Sequence, residues 1–167
     1  GGIEILTCTA PEVADVKIRN APFGITATAS PFTHLHHYDV SGRSAASDGR
    51  GLKAQCGSYF SRIHDNSVRD FALMGPSLFD SPYSSIKRNK IFRCGKTAND
   101  YGWEIGGYTN TVQGCRAEGN TVSHSAGTGG IYTAKTIGTS IKGARIIDNM
   151  FIKTRDGINA QVSGLEI

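Results

Sequence analysis

The sequence predicts an all-β chain: a right-handed parallel β-helix of about six to seven coils, with three short strands per coil. Three observations carry that expectation. A Gly followed by a large apolar residue recurs at a spacing near 27 residues. A second marker, apolar-x-x-Asn-x-apolar, recurs between those copies. No 11-residue window sustains the i, i+3, i+4, i+7 apolar spacing of a helix, because Gly and Asn interrupt every candidate.

The Gly marker defines one strand of each coil. Its copies begin at Gly2, Gly24, Gly51, Gly75, Gly102, Gly130 and Gly157, at intervals of 22, 27, 24, 27, 28 and 27 residues. Six of the seven place a large apolar residue directly after the Gly; at Gly75 the next residue is Pro76, which puts that register in question. Because strand side chains alternate, the residue two after each Gly should face outward. That column reads Glu4, Thr26, Lys53, Ser77, Glu104, Tyr132, Asn159. The residues directly after the Gly, Trp103 among them, are expected in the core.

The Asn marker defines the corner between two further strands. Asn66, Asn89, Asn120 and Asn149 occupy it, Tyr38 stands in the slot of a fifth copy, and Asn20 suggests a sixth with shifted flanks. Asn tolerates the left-handed conformation of a sharp corner, and its amide can bond backbone groups otherwise left unpaired. Stacked Asn side chains can also bond one another along the solenoid axis. A β-sandwich would instead want hairpin turns every 8–12 residues.

Composition agrees. The 167 residues contain 21 Gly, well above the usual share of roughly 7%, without the every-third-residue period of collagen. The 38% of apolar residues and single Trp suggest a slim core within one domain, residues 1–167, read as a segment of a larger protein. The chain opens and closes on strands with no covering element, and open solenoid ends are normally covered. Four cysteines without CxxC spacing argue against structural zinc and suggest mostly buried thiols. No apolar stretch approaches ~18 residues, so no membrane insertion is expected. The net charge of +4 sits partly in the run 87–96, read as a solvated strand face and not as a nucleic-acid surface, since few aromatics interleave it.

These repeats resemble the pectin-lyase-like family of right-handed parallel β-helices, which includes pectate lyases, polygalacturonases, alginate epimerases and bacteriophage tailspikes. The resemblance runs from Ile3 to Ile158. It implies that the Gly-marked strand is the first of each coil and that its outward face forms a glycan groove. The uneven coil lengths, the abrupt ends and the absence of an Asp cluster for calcium favour the tailspikes within that family. An Asp-Pro-His-Asp signature expected of an alginate epimerase is also missing. The function implied is a polysaccharide-interacting β-helix, either a glycan depolymerase (hydrolase or lyase) or its binding region. Polysaccharide is then the partner, homotrimer a possible assembly, and the setting extracellular or on a virion. A non-catalytic spacer in a virion fibre or adhesin is the alternative.

Glycoside hydrolysis needs two carboxyl groups, about 5–5.5 Å apart for retention or 6.5–9.5 Å for inversion. The outward column offers no adjacent pair, because Ser77 and Tyr132 flank Glu104. The candidate catalytic set is therefore Glu104 with Asp100 or Asp80. Lys53, Tyr101, Tyr132 and Asn159 are the candidate substrate-binding residues. No cofactor and no metal are expected. His34 and His36 share one strand face, so two imidazoles could meet a metal, but a third ligand is not evident in the sequence.

Overall fold

The computed structural model describes residues 2–43, 49–95, 102–107, 112–124, 141–154 and 165–166. Among them the chain is a parallel β-helix. The first turn carries β1 (Ile3–Leu6), β2 (Glu12–Ala14) and β3 (Lys17–Ala21); the second carries β4 (Phe23–Thr28), β5 (His34–His36) and β6 (Asp39–Gly42). The third has β7 (Arg50–Gln55), β8 (Arg62–His64) and β9 (Ser67–Arg69), and the fourth β10 (Met74–Phe79), β11 (Ser85–Lys87) and β12 (Lys90–Phe92). A fifth holds β13 (Glu104–Gly106), β14 (Val112–Gln113), β15 (Arg116–Glu118) and β16 (Thr121–Ser123). Then come β17 (Ile141–Lys142), β18 (Ala144–Ile147), β19 (Met150–Ile152) and β20 (Leu165–Glu166).

Three sheets run along the axis. The first stacks β1, β4, β7, β10 and β13; the second stacks β2, β5, β8, β11, β15, β18 and β20; the third stacks β3, β6, β9, β12, β16 and β19. Each pairing is parallel, so every rung joins a residue to its counterpart one turn away. Inward residues fill the space between the sheets: Leu52, Leu78 and Ile105 from the first, Leu35, Ile63 and Ile86 from the second, Val40, Val68 and Ile91 from the third. Each is 1% exposed or less. Trp103 is fully buried among them, as its place after Gly102 implied.

The doubtful Gly75 turn is a full turn. Pro76 pairs with Leu52 and Ser77 with Lys53. Pro76 forfeits one ladder donor, but Gly75 on its near side still donates to the Gly102 carbonyl at 2.9 Å, and Leu78 still packs inward. The Gly at this marker is required by space. A Cβ on Gly51 would lie 2.5 Å from Cγ1 of Val68, an inward side chain of the third sheet. The marker therefore records how closely first and third sheets approach.

The Asn corner is a continuous ladder. Oδ1 of Asn89 accepts from the backbone N of Asn66 at 3.1 Å and from its Nδ2 at 2.9 Å. Asn120 does the same for Asn89, and Asn149 for Asn120. Each Nδ2 also donates to a carbonyl of the previous turn: Asn66 to Leu35, Asn89 to Ile63, Asn120 to Ile86. Two details differ from expectation. The left-handed residue is the one before each Asn (Asp65, Arg88, Gly119, Asp148), so Asn is chosen for its amide and not for its backbone. Asn20 is not a rung: it lies exposed in β3 with φ 52°, and Val16 occupies the ladder slot of the first turn, with its carbonyl accepting from Asp39 N. Tyr38 ends the ladder, donating its backbone N–H to Asn66.

The thiols divide evenly, which corrects the expectation of mostly buried cysteines. Cys94 and Cys115 are buried, whereas Cys8 and Cys56 lie exposed just past β1 and β7, where the chain leaves the first sheet. All four are free.

Candidate functional site

The outward column of the first sheet is in register as the Gly spacing predicted: Glu4 pairs with Thr26, Thr26 with Lys53, Lys53 with Ser77, and Ser77 with Glu104. Exposure falls along it. Glu4 is exposed and Thr26 half-buried, while Lys53 is 9%, Ser77 0% and Glu104 3% exposed. Over β1, β4 and β7 this face forms a cleft of about 370 Å³. Arg50, Lys53 and Gln55 from β7 line it with Glu4, Thr26 and Phe23. Phe23 and Arg50 are partners in register, as are Thr28 and Gln55, so the cleft floor is built from three outward columns.

Its electrostatics follow from burial. Glu104 is raised above the usual carboxyl range by loss of solvent, an effect opposed by the Ser77 hydroxyl that donates to Oε2 and then by the charges of Lys53 and Arg50. Lys53 is lowered, first by burial and then by Arg50, while Glu104 and Asp80 pull it the other way. Its ammonium sits 4.9 Å from the Phe79 ring centroid, where the ring face offers compensation. Arg50 has a buried Nε with no hydrogen-bond partner. An unpaired buried donor of this kind is costly unless an acceptor reaches it. Two cations side by side, Arg50 and Lys53, suit an anionic guest.

Of the candidate residues, Lys53 and Glu104 share the column and an electrostatic environment, and Lys53 lines the cleft. Asp80 is buried in the left-handed corner after β10, its backbone N–H donating to Gly106. That places it roughly three residues beyond Glu104 and one turn away, about 11 Å backbone to backbone. Asp100, Tyr101, Tyr132 and Asn159 lie outside the described residues. Glu4 and Glu104 are four strand spacings apart, about 19 Å, too far to act as a hydrolytic pair.

The structure adds residues the sequence reading passed over. Phe23 lies three positions before Thr26 and Gln55 two positions after Lys53, off the column that was followed, and Arg50, placed by the sequence in the corner before Lys53, is the first residue of β7 and lines the cleft. On the second sheet, His64 pairs across from His36, with parallel rings 5.1 Å apart. Aligning the copy Leu35-His36-His37-Tyr38 with Ile63-His64-Asp65-Asn66 puts both histidines in one slot, a signal present in the sequence. Phe32, Phe60 and Tyr83, each two residues before a second-sheet strand, stack at 5.4 and 5.1 Å on the corner between first and second sheets. The basic run is largely paired: Lys87 with Glu118, Arg88 with Asp65, Arg93 with Asp70.

No protein-family model matches this chain, and no curated protein or solved structure does either.

Proposed function

We propose that this chain is a polysaccharide-interacting β-helix, the binding region of a tailspike-like glycan depolymerase, and that its first-sheet cleft holds an acidic polysaccharide. The observation that carries this reading is the lining of that cleft. Phe23 offers an apolar ring to a sugar face, Arg50 and Lys53 attract a carboxylate or sulfate, and Gln55, Thr26 and Glu4 can bond hydroxyls. Guanidinium and ammonium together suit anions. On this reading the protein works outside the cell or on a virion, and a homotrimer is the assembly to look for.

The test is binding to a panel of uronate-bearing, sulfated and neutral polysaccharides, by calorimetry or glycan array. Acidic glycans should bind, and Arg50→Ala and Lys53→Ala should each weaken them by at least about tenfold, with unchanged far-UV circular dichroism. A neutral-glycan preference, or indifference to both substitutions, would refute the cleft assignment. Reducing-end release and absorbance near 232 nm on the same panel then separate hydrolysis, elimination and binding alone, with Glu104→Gln as the control.

A second reading, a non-catalytic spacer, is favoured by the continuous Asn ladder, which stiffens the axis, and by the wide separation of Glu4 and Glu104 along the outward column. Silence in all of these assays would establish it over the first.

A further inference from the structure

The outward face of the second sheet gathers imidazoles. His34 and His36 alternate on β5, with Leu35 between them pointing inward, and His64 on β8 pairs directly with His36. The His36 and His64 ring centroids are 5.1 Å apart, and those of His34 and His64 are 6.5 Å apart. Two imidazoles bound to one tetrahedral metal through nitrogens at about 2.0–2.1 Å have centroids roughly 5 Å apart. The first pair already has that spacing, and His34 has about 1 Å to close. At present the His36 and His64 rings lie face to face, and among the described residues no three ligating groups surround a common point. All three rings are partly exposed, and rotation about χ2, a broad torsion, turns their nitrogens together.

The surroundings are those of ligand histidines. Asp65 Oδ2 lies 2.8 Å from His64 Nδ1, and Arg88 holds the same carboxylate through two bonds at 2.8 and 2.6 Å. A carboxylate there fixes the proton on Nδ1 and leaves Nε2 with its lone pair, the arrangement that orients a metal-bound imidazole. Glu12 reaches His36 Nε2 at 3.0 Å with an exposed side chain, so it can swing onto a metal as an oxygen donor. His37 Nδ1 lies 2.8 Å from His36 Nδ1 and completes the surround. The local charges permit a cation. Arg88 is committed to Asp65 and Lys87 to Glu118, while Glu12 and Asp65 are anionic. Arg62, paired with His34, is the opposing charge, and it is exposed, where solvent and salt screen it.

We propose that His34, His36 and His64, with Glu12, form a surface site for a borderline divalent transition-metal ion, zinc or nickel. Imidazole donors suit these ions, whereas magnesium and calcium require oxygen ligands. The site lies on a different sheet from the glycan cleft and stands independently of it.

The test is calorimetry on the full chain with the exposed thiols Cys8 and Cys56 alkylated, so that they do not contribute ligands. Zinc and nickel should each bind at one ion per chain, and magnesium should give no heat. His36→Ala and His64→Ala should each weaken zinc at least tenfold, Asp65→Asn about 10–100-fold as an outer partner, and His124→Ala, on a remote corner, not at all. Zinc should also protect His36 and His64 of the unsubstituted chain from diethylpyrocarbonate, a readout that no folding defect can affect. No saturable binding below about 1 mM zinc, binding unmoved by both His36→Ala and His64→Ala, or no protection of either histidine would overturn the site.

Discussion

Replacing Asn89 by Ala tests the ladder directly. Asn89 is 1% exposed and its amide makes four hydrogen bonds: Oδ1 accepts from N and Nδ2 of Asn66, and Nδ2 donates to the Ile63 carbonyl and to Asn120 Oδ1. Ala removes all four. The backbone N–H and Nδ2 of Asn66 and the Ile63 carbonyl lose a buried partner, although Asn66 Nδ2 keeps the Leu35 carbonyl. A net hydrogen bond contributes about 1 kcal/mol, and a buried group left unsatisfied costs about 1–3 kcal/mol. The Ala variant should therefore lose about 3–5 kcal/mol, a large share of the 5–15 kcal/mol typical of a domain. Asn149→Ala is the internal comparison, because Asn149 is half-buried and water can replace part of what it loses. Urea unfolding followed by circular dichroism near 218 nm measures both, with the slope checked for constancy. The reasoning fails if Asn89→Ala costs under about 1 kcal/mol, or no more than Asn149→Ala.

Three further outcomes are expected. Gly51→Ala should destabilise by about 1–3 kcal/mol through overpacking against Val68, and by more than Gly57→Ala, where φ is +92° but nothing lies within 4 Å of the added methyl; urea midpoints compare the two. Asp65 is held well below the usual carboxylate range, first by its hydrogen bonds from Arg88 and then by His64. Its stabilisation is thus present above the unfolded value near 3.9 and disappears as pH falls through the folded value. Melting temperature should drop below about pH 4, and Asp65→Asn should lower it at neutral pH while flattening that acid limb. Ellman's reagent at pH 8 should titrate two thiols at once, Cys8 and Cys56, and the other two only in urea, because burial pushes Cys94 up to about 12 and Cys115 to about 11; a third fast thiol would contradict this.

Much of the architecture was legible because its two markers answer to constraints that repeat every turn. Gly24, Gly51, Gly75 and Gly102 have no space for a side chain, and Asn66, Asn89 and Asn120 serve the same backbone groups turn after turn, so both markers recur in register there. Column reading then located Lys53 and Glu104 on one face correctly. What remained hidden depends on neighbouring columns. Phe23 matters because it faces Arg50 from the neighbouring strand of the same cleft, and His64 matters because it meets His36 across 28 residues. Asn20 misled for a physical reason: a left-handed Asn suits any sharp bend, and only the ladder partners identify the corner it serves. The burial of Ser77 and Glu104 was likewise invisible, since strand alternation tells outward from inward but not open from covered.

The ladder also bears on how such a chain changes length. Successive rungs join Tyr38 to Asn66, Asn66 to Asn89, Asn89 to Asn120 and Asn120 to Asn149 across 28, 23, 31 and 29 residues, yet the bonds are nearly identical. All of them point the same way, each turn's donors meeting the next turn's amide oxygen. A gene segment encoding one whole turn can thus be duplicated or lost without leaving any rung mismatched, and extra residues between rungs can be added without disturbing the axis. The natural unit of variation in this molecule is the turn, and reach along the axis is the property it changes most freely.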